Sequence, residues 1–184
     1  EANPPQFHGG LLQRNGVQMH VGRFGVGLAE AAARHGALVF QGVSVKDWKA
    51  NTGGYQVNTS KGALQASQIL LATGTCQQGG LGWYRRRIVP VGSFVIATEV
   101  LPQALIDSLL PARRSYVTSR MIGNYFRLTP DNRLLFGGRA RFAMSDSVSD
   151  AKSGKVLQAA MVQMFPQLVH VRIDYCLGGV GDRA

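Results

Sequence analysis

Apolar and polar positions alternate along this chain with two different periods. From Gly22 to Arg34 the residues Phe24, Leu28, Ala31 and Ala32 recur at helical spacing, and the run Ala29-Glu30-Ala31-Ala32-Ala33 is built of strong helix formers. Gly36 supplies the stop. Ala37-Leu38-Val39-Phe40 then reads as a buried strand, and Val43 to Trp48 alternates as a half-buried one. Asn51-Thr52-Gly53-Gly54 predicts a turn, Tyr55 to Thr59 a further strand, and Lys61-Gly62 the next tight turn, so these short strands make a meander. Ile69-Leu70-Leu71-Ala72-Thr73-Gly74 is continuously apolar and ends in small residues, the pattern of a strand covered on both faces whose carboxyl end lets a ligand approach.

The second half reads differently. Arg87 to Leu101 predicts one long strand, with Pro90 and Gly92 marking a bend or an edge, and Pro102 opens a short helix through Leu110. Asn124 to Thr129, the turn Pro130-Asp131-Asn132, and Arg133 to Gly138 predict a β-hairpin. Val156, Leu157, Ala160, Met161 and Met164 form the apolar stripe of a helix, with capping candidates between Asp146 and Asp150 and a stop at Pro166. Val169 to Tyr175 alternates as a last strand. The expected fold class is therefore α/β, or α+β: an α/β layer with a β-meander, followed by an antiparallel sheet with helices.

Composition narrows the class further. In 184 residues, 45% are apolar, enough for a real core, and the 23 glycines follow no period, which excludes collagen-like and disordered chains. No apolar stretch approaches the roughly 20 residues of a membrane helix. The first residues show neither a basic start nor an apolar core of a signal peptide, and the chain begins at Glu1 without Met, so a piece of a longer protein is expected. Cys76 and Cys176 are too far apart in sequence for a metal hook and are read as reduced thiols of a cytoplasmic protein. The histidines His8, His20, His35 and His170 are isolated, so no metal site is expected; His8 and His20 read as structural, hydrogen-bonded residues.

The net charge of +10 is concentrated in residues 81 to 142, around Arg85-Arg86-Arg87, Arg113-Arg114, Arg120, Arg127, Arg133, Arg139 and Arg141. Guanidinium groups suit phosphate and carboxylate partners. Two alternatives to catalysis follow: an Arg-rich nucleic-acid-binding module, or an interaction domain that meets an acidic partner. Few aromatics and no nucleic-acid-binding motif accompany the arginines, which fall in strand-like alternations, and nucleic acid is set below the catalytic reading.

Several segments, in order, resemble the D-amino-acid oxidase family of flavoproteins, the glycine, sarcosine and amine oxidoreductases, and are most similar to its gamma-glutamylputrescine oxidoreductase branch. They are FHGGLLQRNGVQMHVGRFGVGLAEAAARHGALVFQGVSV (7–45), QILLATG (68–74), RRRIVPVGSFVIATEVLP (85–102) and NYFRLTPDNRLLFGGRARF (124–142), with MFPQL and YCLGG continuing the pattern. The hairpin is the most specific stretch. The resemblance implies a partial FAD-binding domain over 18–84 and a substrate domain over 85–184, to which 1–17 contribute. It implies that Val45 lies with its backbone against the adenine end of FAD and that Ala72, Thr73 and Gly74 turn over the dinucleotide. It also implies oxidation of a C–N bond in a small amine or amino acid by hydride transfer to the flavin.

On the substrate side, Tyr125 and Arg127 share one face of the hairpin strand, and a guanidinium there suits a substrate carboxylate. Arg127 as a cross-strand or solvent arginine, and Tyr125 as an interface residue, are the structural alternatives. Cys76 reads as a buried thiol, and Trp83-Tyr84 as packing at a domain junction. No GxGxxG occurs in the sequence, Gly25-Val26-Gly27-Leu28-Ala29-Glu30 failing at its last position. Weak or no flavin binding by this chain alone is therefore expected. Strands without neighbours also predict self-association through exposed edges.

Overall fold

The computed structural model describes residues 7–74, 86–87, 89–121, 123–141 and 147–183; side chains at 89–90, 139–141, 147–151 and 179–183 lie outside the description. The readings of Cys76, Trp83, Tyr84, Arg85 and Asp146 fall on residues beyond it. The chain divides into two compact units, one of Glu1–Leu12 with Ile88–Ala184, the other of Gln13–Arg87.

The smaller unit opens with helix α1, Val21–Arg34. His20 caps it: its Nδ1 accepts the Arg23 N–H at 3.2 Å. At the other end the N–H groups of Gly36 and Ala37 reach Ala33 O and Ala32 O, and Gly36 sits at φ +91°, where a side chain is strained, so the predicted stop is a Schellman motif. Strands β1 (Val45–Asn51), β2 (Gly54–Thr59) and β3 (Gly62–Ala66) form the antiparallel meander that the turn signals predicted.

Two strand predictions fail here. Residues 37–40 are irregular, with Leu38 83% and Phe40 70% exposed. Residues 69–73 are also irregular, and Leu70 is 91% exposed. An apolar run becomes a strand only when a neighbour takes its N–H and C=O groups, and among the described residues nothing pairs with either run.

The larger unit is a five-stranded antiparallel sheet in the order β5-β6-β7-β4-β8, comprising β4 (Val89–Val100), β5 (Tyr116–Val117), β6 (Tyr125–Leu128), β7 (Arg133–Arg141) and β8 (Ile173–Arg183). Helix α2 (Gln103–Leu109) follows β4, and α3 (Ser147–Met164) packs on β4, β7 and β8. The predicted long strand, hairpin and helices are present. The last strand is displaced: residues 169–172 are turn and coil, and pairing with β4 runs from Ile173 to Arg183. As for Pro90 and Gly92, β4 is a central strand. Among the described residues Pro90, which has no N–H, pairs with β8 alone, because the described pairing with β7 begins at Gly92.

One face of this sheet carries the core. Phe94, Ile96, Phe126, Leu128, Leu134 and Phe136 meet Leu157, Met161, Phe165 and Leu168. Phe126 is its centre, stacked on Tyr116 (5.1 Å) and Phe136 (5.8 Å) and edge-on to Phe165 (5.3 Å). Each of these large side chains contributes about 1.5–3 kcal/mol by leaving water. Where the β4–β7 register skips between Ala97 and Val100, Thr98 Oγ1 accepts the Leu134 N–H at 2.9 Å, so that buried donor stays paired. The fold is thus an α/β mixture whose sheets are antiparallel.

Candidate functional site

The other face of the five-stranded sheet has no helix among the described residues. Directly opposed residues share a face, so the register writes its composition in two rows: Tyr125, Gly137, Val95, Leu177 and, beside it, Arg127, Leu135, Ala97, Tyr175. Ser93 belongs to the same face through the alternation of β4. Tyr125 and Arg127 therefore share this face, while Phe126 between them and Leu128 after them turn into the core.

Tyr125 is held in a defined pose. Its hydroxyl lies 2.8 Å from Ser93 Oγ, so the phenol crosses β7 to reach β4. It can do so because position 137 is glycine: a Cβ there would collide with the ring and come within 2.8 Å of the hydroxyl. Gly138, at φ +157°, gives the same room to Asn124, whose side-chain N–H reaches Gly137 O at 3.4 Å. Tyr125 remains 39% exposed, its hydroxyl displayed above the middle strand.

At one end of the sheet the charges are spent on structure. Arg133 donates to Asp174 (2.5 Å), Asp131 (3.1 Å) and Thr98 O (2.8 Å) and lies over the Tyr175 ring at 5.6 Å. Arg172 bridges Asp174 (3.0 Å) and Glu99 (3.7 Å). Arg113 donates to Thr129 O and to Asn132 Oδ1, tying down the hairpin turn. The Asp174 hydrogen bond first, then the other acidic contacts, hold the Arg133 pKa above the ordinary guanidinium value. Two of the central arginines are thus internal ties, which weakens the basic-surface alternative.

The candidate cofactor residues lie in the smaller unit. Val45 begins β1, and the Ser44 backbone before it is fixed by two bonds to Ser60, 3.1 Å to the hydroxyl and 2.8 Å from the Ser60 N–H. Ala72, Thr73 and Gly74 are exposed, and Gly74, at φ +57°, has no other atom of the described residues within 4 Å of the place a Cβ would take. Small, open backbone of this kind leaves room for a dinucleotide to lie close, so these residues fit an FAD edge. Of the histidines predicted structural, His20 is a helix cap, and His8 is exposed. Among the described residues no three His, Cys, Asp or Glu side chains gather as a metal site, and no helix is long and apolar enough to cross a membrane.

Sequence reasoning did not single out Ser93 or the pair Gly137-Gly138. The available signal was a small polar residue within an apolar strand, and two consecutive glycines at the end of a hairpin.

A family model described as "FAD dependent oxidoreductase" (DAO) matches residues 1–183. Among curated proteins, the chain is 35% identical to "Probable oxidoreductase OrdL" of Haemophilus influenzae over 96% of its own length and 40% of that protein's. It is 30% identical to gamma-glutamylputrescine oxidoreductase of Escherichia coli over 95% of its length and 40% of that protein's. Among solved structures, glycine oxidase from Bacillus cereus superposes with a TM-score of 0.68 at 19% identity, covering 84% of this chain and 41% of that one. Glycine oxidase from Geobacillus kaustophilus gives 0.64 at 19%, covering 86% and 41%. The chain spans about 40% of the length of the curated relatives it matches.

Proposed function

Since the chain belongs to the FAD-dependent oxidoreductase family, we propose that it forms the substrate wall and part of the flavin-binding unit of an enzyme that oxidises the C–N bond of a small amine or amino acid. The carrying observation is the sheet face that no helix covers among the described residues, where Tyr125 and Arg127 project together over a floor kept low by Gly137. Val45 and the Ala72-Thr73-Gly74 turn would hold FAD, which would supply a hydride acceptor for oxidation of the carbon next to nitrogen.

This chain's residues bind, orient and exclude water. Tyr125 offers a hydroxyl to the substrate's polar end, Arg127 offers a guanidinium to a carboxylate where there is one, and Val95, Leu135 and Leu177 make an apolar surface against which the carbon chain lies. Val45 and the Ala72-Thr73-Gly74 turn line the dinucleotide with backbone, which accepts close approach. Residues 18–84 are then the FAD-binding part, and 85–184, with 1–17, the substrate part. A cytoplasmic location, read from the sparse cysteines, is part of the same proposal; among the described residues Cys176 is in no disulfide.

The test is anaerobic addition of primary and secondary amines and of amino acids to the flavin-loaded enzyme that carries this segment. Bleaching of the visible flavin band, with release of a carbonyl product, is expected for at least one of them. A flavin reduced by a nicotinamide nucleotide and by no amine would contradict the reading.

A further inference from the structure

A phenol on a flat, solvent-facing sheet is ordinarily free to swing about its Cα–Cβ bond. That of Tyr125 is not, because two independent features fix it: the absent side chain at Gly137, on which the ring lies, and the hydroxyl of Ser93, 2.8 Å from its own. We infer that Ser93 is a positioning residue, which sets the direction in which the Tyr125 hydroxyl meets the substrate. The inference rests on the reading of this face as the substrate wall.

The chemistry follows from counting protons. Two hydroxyls carry two protons, and the bond between them uses one. The pair therefore keeps one O–H to donate and several lone pairs to accept, and it suits either an amine nitrogen or a carboxylate oxygen. Without Ser93 the phenol keeps the same groups but loses their direction, so a ligand must order the ring as it binds. Ser93 touches no substrate in this scheme. Its contribution is preorganisation, which appears in affinity rather than in the chemical step.

Two experiments separate the inference from the reading beneath it. In the 184-residue chain with ring-labelled tyrosine, Tyr125→Phe assigns the Tyr125 signal by nuclear magnetic resonance. Ser93→Ala is expected to shift that signal and speed its ring rotation, and Ser93→Thr, which restores a hydroxyl, is expected to leave it near its original place. An unchanged Tyr125 signal in Ser93→Ala would overturn the inference.

In the flavin-loaded enzyme carrying this segment, Ser93→Ala is expected to raise KM for the amine about five- to tenfold, the loss of one oriented hydrogen bond, with kcat within about twofold and Ser93→Thr recovering most of it. If Tyr125→Phe raises KM for the amine and Ser93→Ala leaves it at the wild-type value, Ser93 positions nothing and the inference falls alone. If Tyr125→Phe has no effect, the face is not the substrate wall, and the reading and the inference fall together.

Discussion

The ring of Tyr125 occupies the space that a side chain at Gly137 would need, so the two residues, directly opposed on β6 and β7, are matched in size. Gly137→Ala should lift the phenol off the sheet, break its bond to Ser93, and lower stability by about 2 kcal/mol, the ordinary cost of overpacking. Urea denaturation measures this. A midpoint equal to the wild type would mean that the ring is accommodated elsewhere.

Charge pairing at the sheet end should appear in the acid limb of the stability curve. The Thr129 hydroxyl first, then the Asp131 backbone and Arg133, hold the Asp131 carboxyl below its ordinary value of 3.8. A carboxyl with a depressed folded pKa contributes stability above its unfolded value and loses it as pH falls through the folded one. Thermal unfolding followed downward from pH 5 should therefore show a loss below about pH 4 that is shallower in Asp131→Asn. Identical acid limbs would contradict this. Asp174→Asn should lower the melting temperature at neutral pH, because Arg133 and Arg172 both lose a partner.

Two neighbouring residues of α3 should respond in opposite directions. Ser153 is fully buried and its hydroxyl has no hydrogen-bond partner among the described residues, so Ser153→Ala should be neutral or stabilising by up to about 1 kcal/mol. A Cβ on Gly154 would come within 2.9 Å of Cys176 Sγ, so Gly154→Ala should cost about 1 kcal/mol despite its better helix propensity. Denaturant titration of both variants checks the pair of signs.

Helix α1 has no buried residue although Phe24, Val26 and Leu28 are large and apolar, and Leu38 and Phe40 beyond it are exposed as well. The 184-residue chain on its own should therefore self-associate. Light scattering across a concentration series should show mass rising with concentration; a monodisperse monomer would contradict it. The same chain, which contains no GxGxxG, should retain little flavin after addition of FAD and desalting. A lasting visible band would show that Val45 and the 72–74 turn suffice as an anchor.

What the sequence made legible was local. Helix α1 carried its own stop at Gly36, the hairpin its own turn at Pro130 to Asn132, and α3 an apolar stripe that a single sheet face covers. The runs 37–40 and 69–74 looked like strands because strand propensity is written in side chains, whereas strand formation needs a neighbour, and none pairs with them among the described residues. The candidate site was half legible for a related reason. Alternation placed Tyr125 and Arg127 together within one strand, but Ser93 and Gly137 joined them only through the register of β4, β7 and β6, which depends on pairing across distant segments.

The central claim is that the sheet face of the larger unit bearing Tyr125 and Arg127 holds the amine. Its most direct measurement is the anaerobic rate of flavin reduction, as a function of amine or amino-acid concentration, in the enzyme carrying this segment and in its Tyr125→Phe and Arg127→Ala variants. Weaker saturation in Tyr125→Phe, and in Arg127→Ala a loss confined to substrates that bear a carboxylate, is the predicted result. Saturation curves that coincide with the wild type in both variants would show that the substrate is held elsewhere.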